Sequence, residues 1–260
     1  MIGKSVSWFF SNARDAIARR LVKIGVTPNM LTVFGTLLTI GTGVCMALGV
    51  KTGNNGYFIV SGALLYCCFA CDMLDGSVAR IGKLSSTFGA FLDSTLDRVS
   101  DFALYAGVGF GFLWVEPANL TFAALCMIGF LEAVMISYIK ARAEDFIDSC
   151  PVGFWQRGER CAAVIISAFA CNPGALVVML GIGPAFTVLR RFAYAKTVIT
   201  GGAGVVDPRV NGKWYHKIQP WLYPRMSLPY DAAVLGCIAF LIFARIDPAK
   251  WDVLRWWLNG

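Results

Sequence analysis

The chain has 260 residues, 57% of them hydrophobic and 15% charged, with a mean hydropathy of +0.62 and a formal net charge of +7. Soluble domains carry about a quarter charged residues, so this composition excludes an ordinary water-soluble globule, and several segments approach the ~20 residues of a bilayer-spanning helix. Positive charge gathered beside apolar segments suits an anionic lipid surface, and with neither zinc-finger spacing nor aromatic–basic interleaving, nucleic acid is not an expected partner.

Residues 1–27 are expected to form an interfacial amphipathic helix, centred on about 5–24. Phe9, Ala13, Ile17, Leu21 and Ile24 recur at helical spacing, and Lys4, Arg14, Arg19, Arg20 and Lys23 face a single Asp15. Such a helix lies in the headgroup plane. It lacks the compact apolar core and small-residue cleavage site of a secretory signal.

Residues 28–200 are expected to form a six-span all-α membrane domain. After Pro28 and Asn29, apolar runs cover Met30 to Val50 and then about 57–80, 87–114, 118–141, 160–172 with its preceding turn, and 175–198, with Asn172-Pro173-Gly174 breaking the chain between the last two. The basic connections alternate. Arg80 and Lys83 lie in one, Lys140, Arg142, Arg157 and Arg160 in another, and the segment after Arg190 is basic too, whereas the intervening connections hold only Lys51. The positive-inside rule then places both ends of the six-helix core in the cytoplasm, in a multi-pass protein of the plasma (inner) membrane.

Residues 201–260 are expected to be a membrane-associated extension. A polar stretch with Lys213, Lys217 and Arg225 precedes an apolar run at 228–246, which is open to two readings: a seventh span or an interfacial helix. Trp214, Trp221, Trp251, Trp256 and Trp257 suit interfacial anchoring. Eight of the nine cysteines lie in apolar surroundings, where a free thiol behaves as a small hydrophobe. The lone histidine, His216, has no activated Ser or Cys beside it, which speaks against a hydrolase triad.

The chemistry concentrates in one stretch, CDMLDGSVARIGKLSSTFGAFLDSTLDRVSD, from Cys71 to Asp101. Asp72 and Asp75 are three apart at the end of the second span, and Asp93 and Asp97 are four apart at the start of the third, so each pair shares a helix face. A short basic turn folds the two spans antiparallel and brings the pairs together. Four carboxylates beside hydrocarbon repel one another, and two divalent cations would balance their charge. Hard oxygen ligands suit Mg²⁺ or Mn²⁺ rather than zinc, and paired ions of this kind grip phosphate oxygens during in-line displacement. Gly76 and Gly89 leave room for a diphosphate near the backbone, and Arg80 offers it a charge. A cation channel or transporter lined by these carboxylates is the rival reading, as is a catalytically silent membrane protein that uses the fold to bind a partner.

Asp72-x2-Asp75-Gly76-x2-Ala79-Arg80-x8-Gly89-x3-Asp93-x3-Asp97 matches, without departure, the signature of the CDP-alcohol phosphatidyltransferases, which this chain resembles over about residues 1–200. The resemblance implies that Asp72, Asp75, Asp93 and Asp97 hold two metal ions and that Asp97 is also the general base. It implies that CDP-diacylglycerol binds at Asn29 and Thr32 of a Pro-x3-Thr element, with Gly76, Arg80 and Ser86. It also carries a homodimer as an expectation. Among family members, the pattern is most similar to phosphatidylinositol-phosphate synthases and their archaeal relatives. Its Ser137-Tyr138-Ile139-Lys140-Ala141-Arg142-Ala143-Glu144 segment matches theirs. Gln156-Arg157-Gly158-Glu159-Arg160 keeps both arginines of their second element but has Gln for its first Glu and Gly for its Pro, and an arginine closes the sixth span. Lys140, Arg142, Arg157, Arg160 and Arg191 are therefore expected around a phosphorylated polyol acceptor. Inositol 1-phosphate is the first expectation, and glycerol 3-phosphate the alternative.

Overall fold

The computed structural model describes residues 2–202, 219 and 227–259, with side chains from Asn12 to Leu258 within those stretches. Lys213, Trp214, His216, Lys217, Trp221 and Arg225, and the side chains of Lys4 and Phe9, lie outside the described residues. The described chain is all helical. Its helices are α1 (Ile2–Lys23), α2 (Pro28–Thr52), α3 (Asn55–Gly82), α4 (Thr87–Trp114), α5 (Leu120–Ala143), α6 (Arg157–Phe169), α7 (Pro173–Ile199), α8 (Leu228–Phe243) and α9 (Val253–Asn259), with a 3₁₀ turn at Pro248–Trp251.

Local sequence explains most boundaries. Thr27, Asn54, Ser86, Asn119 and Asn172 each accept a backbone N–H of the first turn that follows, which satisfies donors a helix leaves open. Pro28 and Pro173 occupy first-turn positions, where no N–H is needed. Thr27 rather than Asn29 caps α2, leaving the Asn29 side chain available inside the first turn. The helix of the fifth expected span is as long as the 160–172 run but shifted three residues earlier. It begins at Arg157 and stops at Phe169, because Cys171 turns the chain with φ +50° and Asn172 is already starting α7.

Among the described residues, four helices, α2, α3, α5 and α7, are long and apolar enough to cross a bilayer. The helix α4 is as long as α3 but carries Asp93, Asp97, Arg98 and Asp101 within its first fifteen residues, and α6 has only 13 residues. The outer surface exposes Phe34, Leu37, Tyr66, Phe110, Met127 and Phe186, as a lipid-facing surface would. This is a multi-pass membrane protein. Inside, Thr36, Thr39 and Thr42 return their hydroxyls to carbonyls of their own helix at 3.0 Å, so none of these three is left unsatisfied.

Small residues set the closest crossing. A Cβ on Gly43 of α2 would collide with the Ala103 backbone of α4, and one on Gly107 would collide with the Gly43 backbone. Close backbone approach of this kind replaces the hydrophobic driving force that lipid does not supply. The face that α1 packs inward differs from the expected stripe. Ala18 is fully buried and Leu21 and Val22 pack with it against Leu74 and Val78 of α3, while Ile17 and Ile24 remain exposed.

Candidate active site

The end of α3 and the start of α4 meet across the turn 83–86, where Lys83 takes the left-handed conformation at φ 54°. That turn brings Asp72, Asp75 and Asp93 together, each offering an oxygen within 4.8 Å of the others. Three carboxylate oxygens so close form a hard-donor set that fits a divalent cation and offers nothing to a soft one.

Asp97 stands one turn deeper on α4, apart from that trio and in a different setting. Nη2 of Arg157, from α6, approaches Asp97 Oδ1 at 2.9 Å, while its Nη1 donates to Asp72 Oδ2 at 3.1 Å. Arg98 approaches the other Asp97 oxygen at 3.7 Å. One guanidinium therefore links the first and last aspartates of the motif across three helices.

Beside the trio opens a cleft of about 220 Å³, lined by Asn29, Thr32, Asp75, Gly76, Ser86, Gly89 and Asp93 among others. Thr32 donates to Asp75 Oδ2 at 3.2 Å and to the Pro28 carbonyl at 3.1 Å. The two glycines serve it differently. A Cβ on Gly76 would meet nothing within 4 Å, so its missing side chain keeps the cleft open. A Cβ on Gly89 would press on Ser86 Oγ at 3.1 Å and Asn29 Oδ1 at 3.2 Å, so its absence lets the α4 cap and the α2 first turn approach. Arg80 is folded back on its own helix, with Nε on the Gly76 carbonyl at 3.1 Å and a guanidinium nitrogen 3.4 Å from Ser77 Oγ.

The five expected acceptor residues divide. Lys140 and Arg142 are exposed and carry local partners, Glu144 at 4.0 Å and Asp145 at 2.7 Å. Arg157 reaches the carboxylates. Arg160 and Arg191 instead lie in the interior, 3% and 5% exposed. Arg160 binds Asp101 at 3.0 Å and the Trp155 carbonyl, and Arg191 donates to the carbonyls of Val152, at 2.9 Å, and Ile136. Their guanidinium groups are engaged by the protein itself and hold the 150–156 segment and the start of α6 in place.

Sequence reasoning gave no role to Arg98 or Asp101. Arg98 donates to Ser137 of α5 and approaches Asp101 at 3.3 Å, so an Arg98–Asp101–Arg160 group, half-buried at Arg98 and buried at the other two, underlies the carboxylates. The signal was available: Asp93, Asp97 and Asp101 repeat every fourth residue, so the acidic stripe continues one turn further down.

The described fold is one of apolar helices with a carboxylate trio, a donor set that fits a divalent cation, beside an open cleft. The family model of the CDP-alcohol phosphatidyltransferases matches residues 25–198, and the chain belongs to that family of enzymes. Among curated proteins it is 29% identical over 188 residues to a phosphatidylinositol phosphate synthase of Corynebacterium glutamicum, covering 70% of this chain and 83% of that one. It is 32% identical over 161 residues to an archaetidylinositol phosphate synthase of Methanothermobacter thermautotrophicus, covering 59% and 78%. Among solved structures it resembles the Mycobacterium tuberculosis phosphatidylinositol phosphate synthase with CDP-DAG bound, with a TM-score of 0.62 and 28% identity over 71% of this chain and 94% of that one. The same enzyme in complex with manganese and citrate gives a TM-score of 0.62 at 26% identity, over 76% and 98%.

Proposed function

We propose that this enzyme transfers the phosphatidyl group of CDP-diacylglycerol to a phosphorylated polyol, inositol 1-phosphate, and releases CMP. The observation that carries the reading is the Asp72–Asp75–Asp93 trio at the rim of the cleft holding Asn29, Thr32, Gly76 and Ser86, with Arg157 bridging to Asp97. The named relatives support the acceptor, and the CDP-DAG-bound neighbour supports the donor.

In this reading Asp72, Asp75, Asp93 and Asp97 hold two Mg²⁺ or Mn²⁺ ions, a choice that the manganese-bound neighbour supports. Ions there supply charge neutralisation for the diphosphate and the developing transition state. Asn29, Thr32, Gly76, Arg80 and Ser86 receive the nucleotide end of the lipid. Asp97 accepts the acceptor hydroxyl proton, that oxygen forms a bond to the lipid-side phosphorus, and the bond from this phosphorus to the bridging oxygen breaks. CMP leaves with the electron pair. A carboxylate is a weak base for an alcohol, so positioning by the site contributes more than basicity. Arg157, Lys140 and Arg142 offer charge to the acceptor phosphate, while Arg160 and Arg191 shape the wall behind it.

The same reading treats residues 1–27 as an interfacial helix and 28–200 as the catalytic domain. That domain has six spans with the site on the cytoplasmic face of the plasma membrane, on the charge asymmetry of the connections. It takes the assembly as a homodimer on the family pattern alone.

Purified full-length protein in detergent, given CDP-diacylglycerol, Mg²⁺ and a panel of alcohols, tests the reading through CMP release. Release with inositol 1-phosphate, abolished by chelation and restored by Mg²⁺ or Mn²⁺, is expected. Release with glycerol 3-phosphate alone would overturn the acceptor; ion flux in liposomes without any release would overturn the reaction. Asp97→Asn should abolish turnover while CDP-lipid binding survives.

A further inference from the structure

We infer that α8 is a seventh crossing of the membrane, that it braces the short helix α6, and that Tyr230 is a positioning residue for the arginine end of α6. The positioning role rests on the function proposed above; the crossing does not.

An interfacial helix keeps both its ends at one depth, and α8 does not. Near its start, Tyr230 donates to Glu159 Oε1 at 3.1 Å, in the first turn of α6 and two residues from Arg157. Its ring also packs on Phe154, with centroids 5.2 Å apart. Near its end, Asn172 Nδ2 donates to the carbonyls of Leu241, at 2.8 Å, and Ala244, at 2.7 Å. Asn172 caps α7, beyond the far end of α6. A helix touching both the beginning of α6 and the residue just after its end runs beside it for its whole length, in the same direction.

Sequence and burial agree with that placement. No charged residue occurs from Ala232 to Ala244, and Leu235, Ile242 and Phe243 face outward and are exposed. Of the two short helices, α6 spans about 20 Å and α8 about 24 Å at 1.5 Å per residue, so each matches the other better than either matches a ~30 Å hydrocarbon core. A Cβ on Gly174 would collide with the Ile246 carbonyl, so the segment after α8 also sits tightly on the α7 terminus. From there the chain continues on the same face. Asn119 donates to the Pro248 carbonyl, and Asp252 accepts from the N–H and hydroxyl of Thr121 at 3.1 and 2.8 Å. Asn119 and Thr121 begin α5, at the end of the bundle opposite the carboxylates. The carboxyl terminus therefore emerges on the face away from the active site, and the amino-terminal helix ends on the face that bears it.

Two measurements on the full-length chain test this. Epitopes at the two termini should be stripped by an impermeant protease from opposite faces, one in right-side-out vesicles and the other in inverted ones. Removal of both from one face would overturn the crossing. Tyr230→Phe keeps the ring on Phe154 and removes only the hydroxyl. It should raise the KM for the acceptor about tenfold, the low end of the range for a hydrogen bond to a carboxylate, with kcat and the KM for the CDP-lipid unchanged. A fall in kcat alone, or no change, would overturn the positioning role. An inactive wild-type chain would sink the enzymatic reading and with it that role, while the vesicle result still decides the crossing.

Discussion

Arg157 Nη2 lies 2.9 Å from Asp97 Oδ1, joining the first residue of α6 to the last aspartate of the motif on α4. The same side chain also holds Asp72 of α3, so one planar, two-armed cation ties three helices together at the site. Arg157→Lys keeps the charge but cannot serve both carboxylates. It should lower kcat/KM by about tenfold to a hundredfold, the range for losing one charge-assisted hydrogen bond. Steady-state CMP release measures it, and an unchanged kcat/KM would show that the fork geometry is irrelevant.

Gly76 and Gly89 should respond differently to the same methyl group. Gly76→Ala adds a carbon to open space in the cleft and should leave thermal unfolding unchanged while raising the KM for CDP-lipid about tenfold. Gly89→Ala presses on Ser86 and Asn29, so it should lower the unfolding midpoint as well as binding. Midpoints in detergent, compared with lipid-binding curves, separate the two.

The Asp101–Arg160 pair is 3% exposed on both sides and has little water to fall back on. Asp101→Asn leaves the buried Arg160 without its carboxylate and should destabilise the protein by about 3–5 kcal/mol, whereas Arg160→Met leaves Asp101 with Arg98 at 3.3 Å and should cost less. The double variant Asp101→Leu/Arg160→Met should recover a large part of that loss. A double-mutant cycle on unfolding free energy checks it, and strict additivity would refute the coupling.

The docked tail carries a pH dependence through Asp252. Partial burial pushes its carboxyl up, but the Thr121 hydroxyl and N–H, with further backbone donors, outweigh that and hold it below the ordinary aspartate range. A group whose folded value is depressed adds stability that is whole above its unfolded value, near ~3.9, and is lost as pH falls through the folded value. The tail should therefore stay docked from neutral pH to about pH 4 and loosen below it. Acid-protease release of a carboxyl-terminal tag reads this, and Asp252→Asn should remove the dependence.

How legible was this protein? Helix positions followed from apolar runs, caps and prolines, because those signals are local. The carboxylate trio was legible too, since three- and four-residue spacings on two antiparallel helices leave little freedom in where the side chains meet. The arginines were not. Arg157 and Arg160 are three residues apart, on neighbouring turns of one short helix, yet one meets the site carboxylates and the other is sealed against Asp101.

By itself, the sequence determined the membrane-protein class, the helices and the motif whose aspartates converge. Only the tertiary structure decided the exposed face of α1, the interior fate of Arg160 and Arg191, and the path of α8 beside α6. Helix rotation and neighbour choice depend on contacts between residues far apart in the chain, such as Gly43 with Ala103, Arg157 with Asp97 and Tyr230 with Glu159. The periodicity of a single helix carries no record of them. So Asp97, read from spacing as the fourth of a set, is tied to Asp72 by the guanidinium of a residue sixty positions further along rather than grouped with the three that converge.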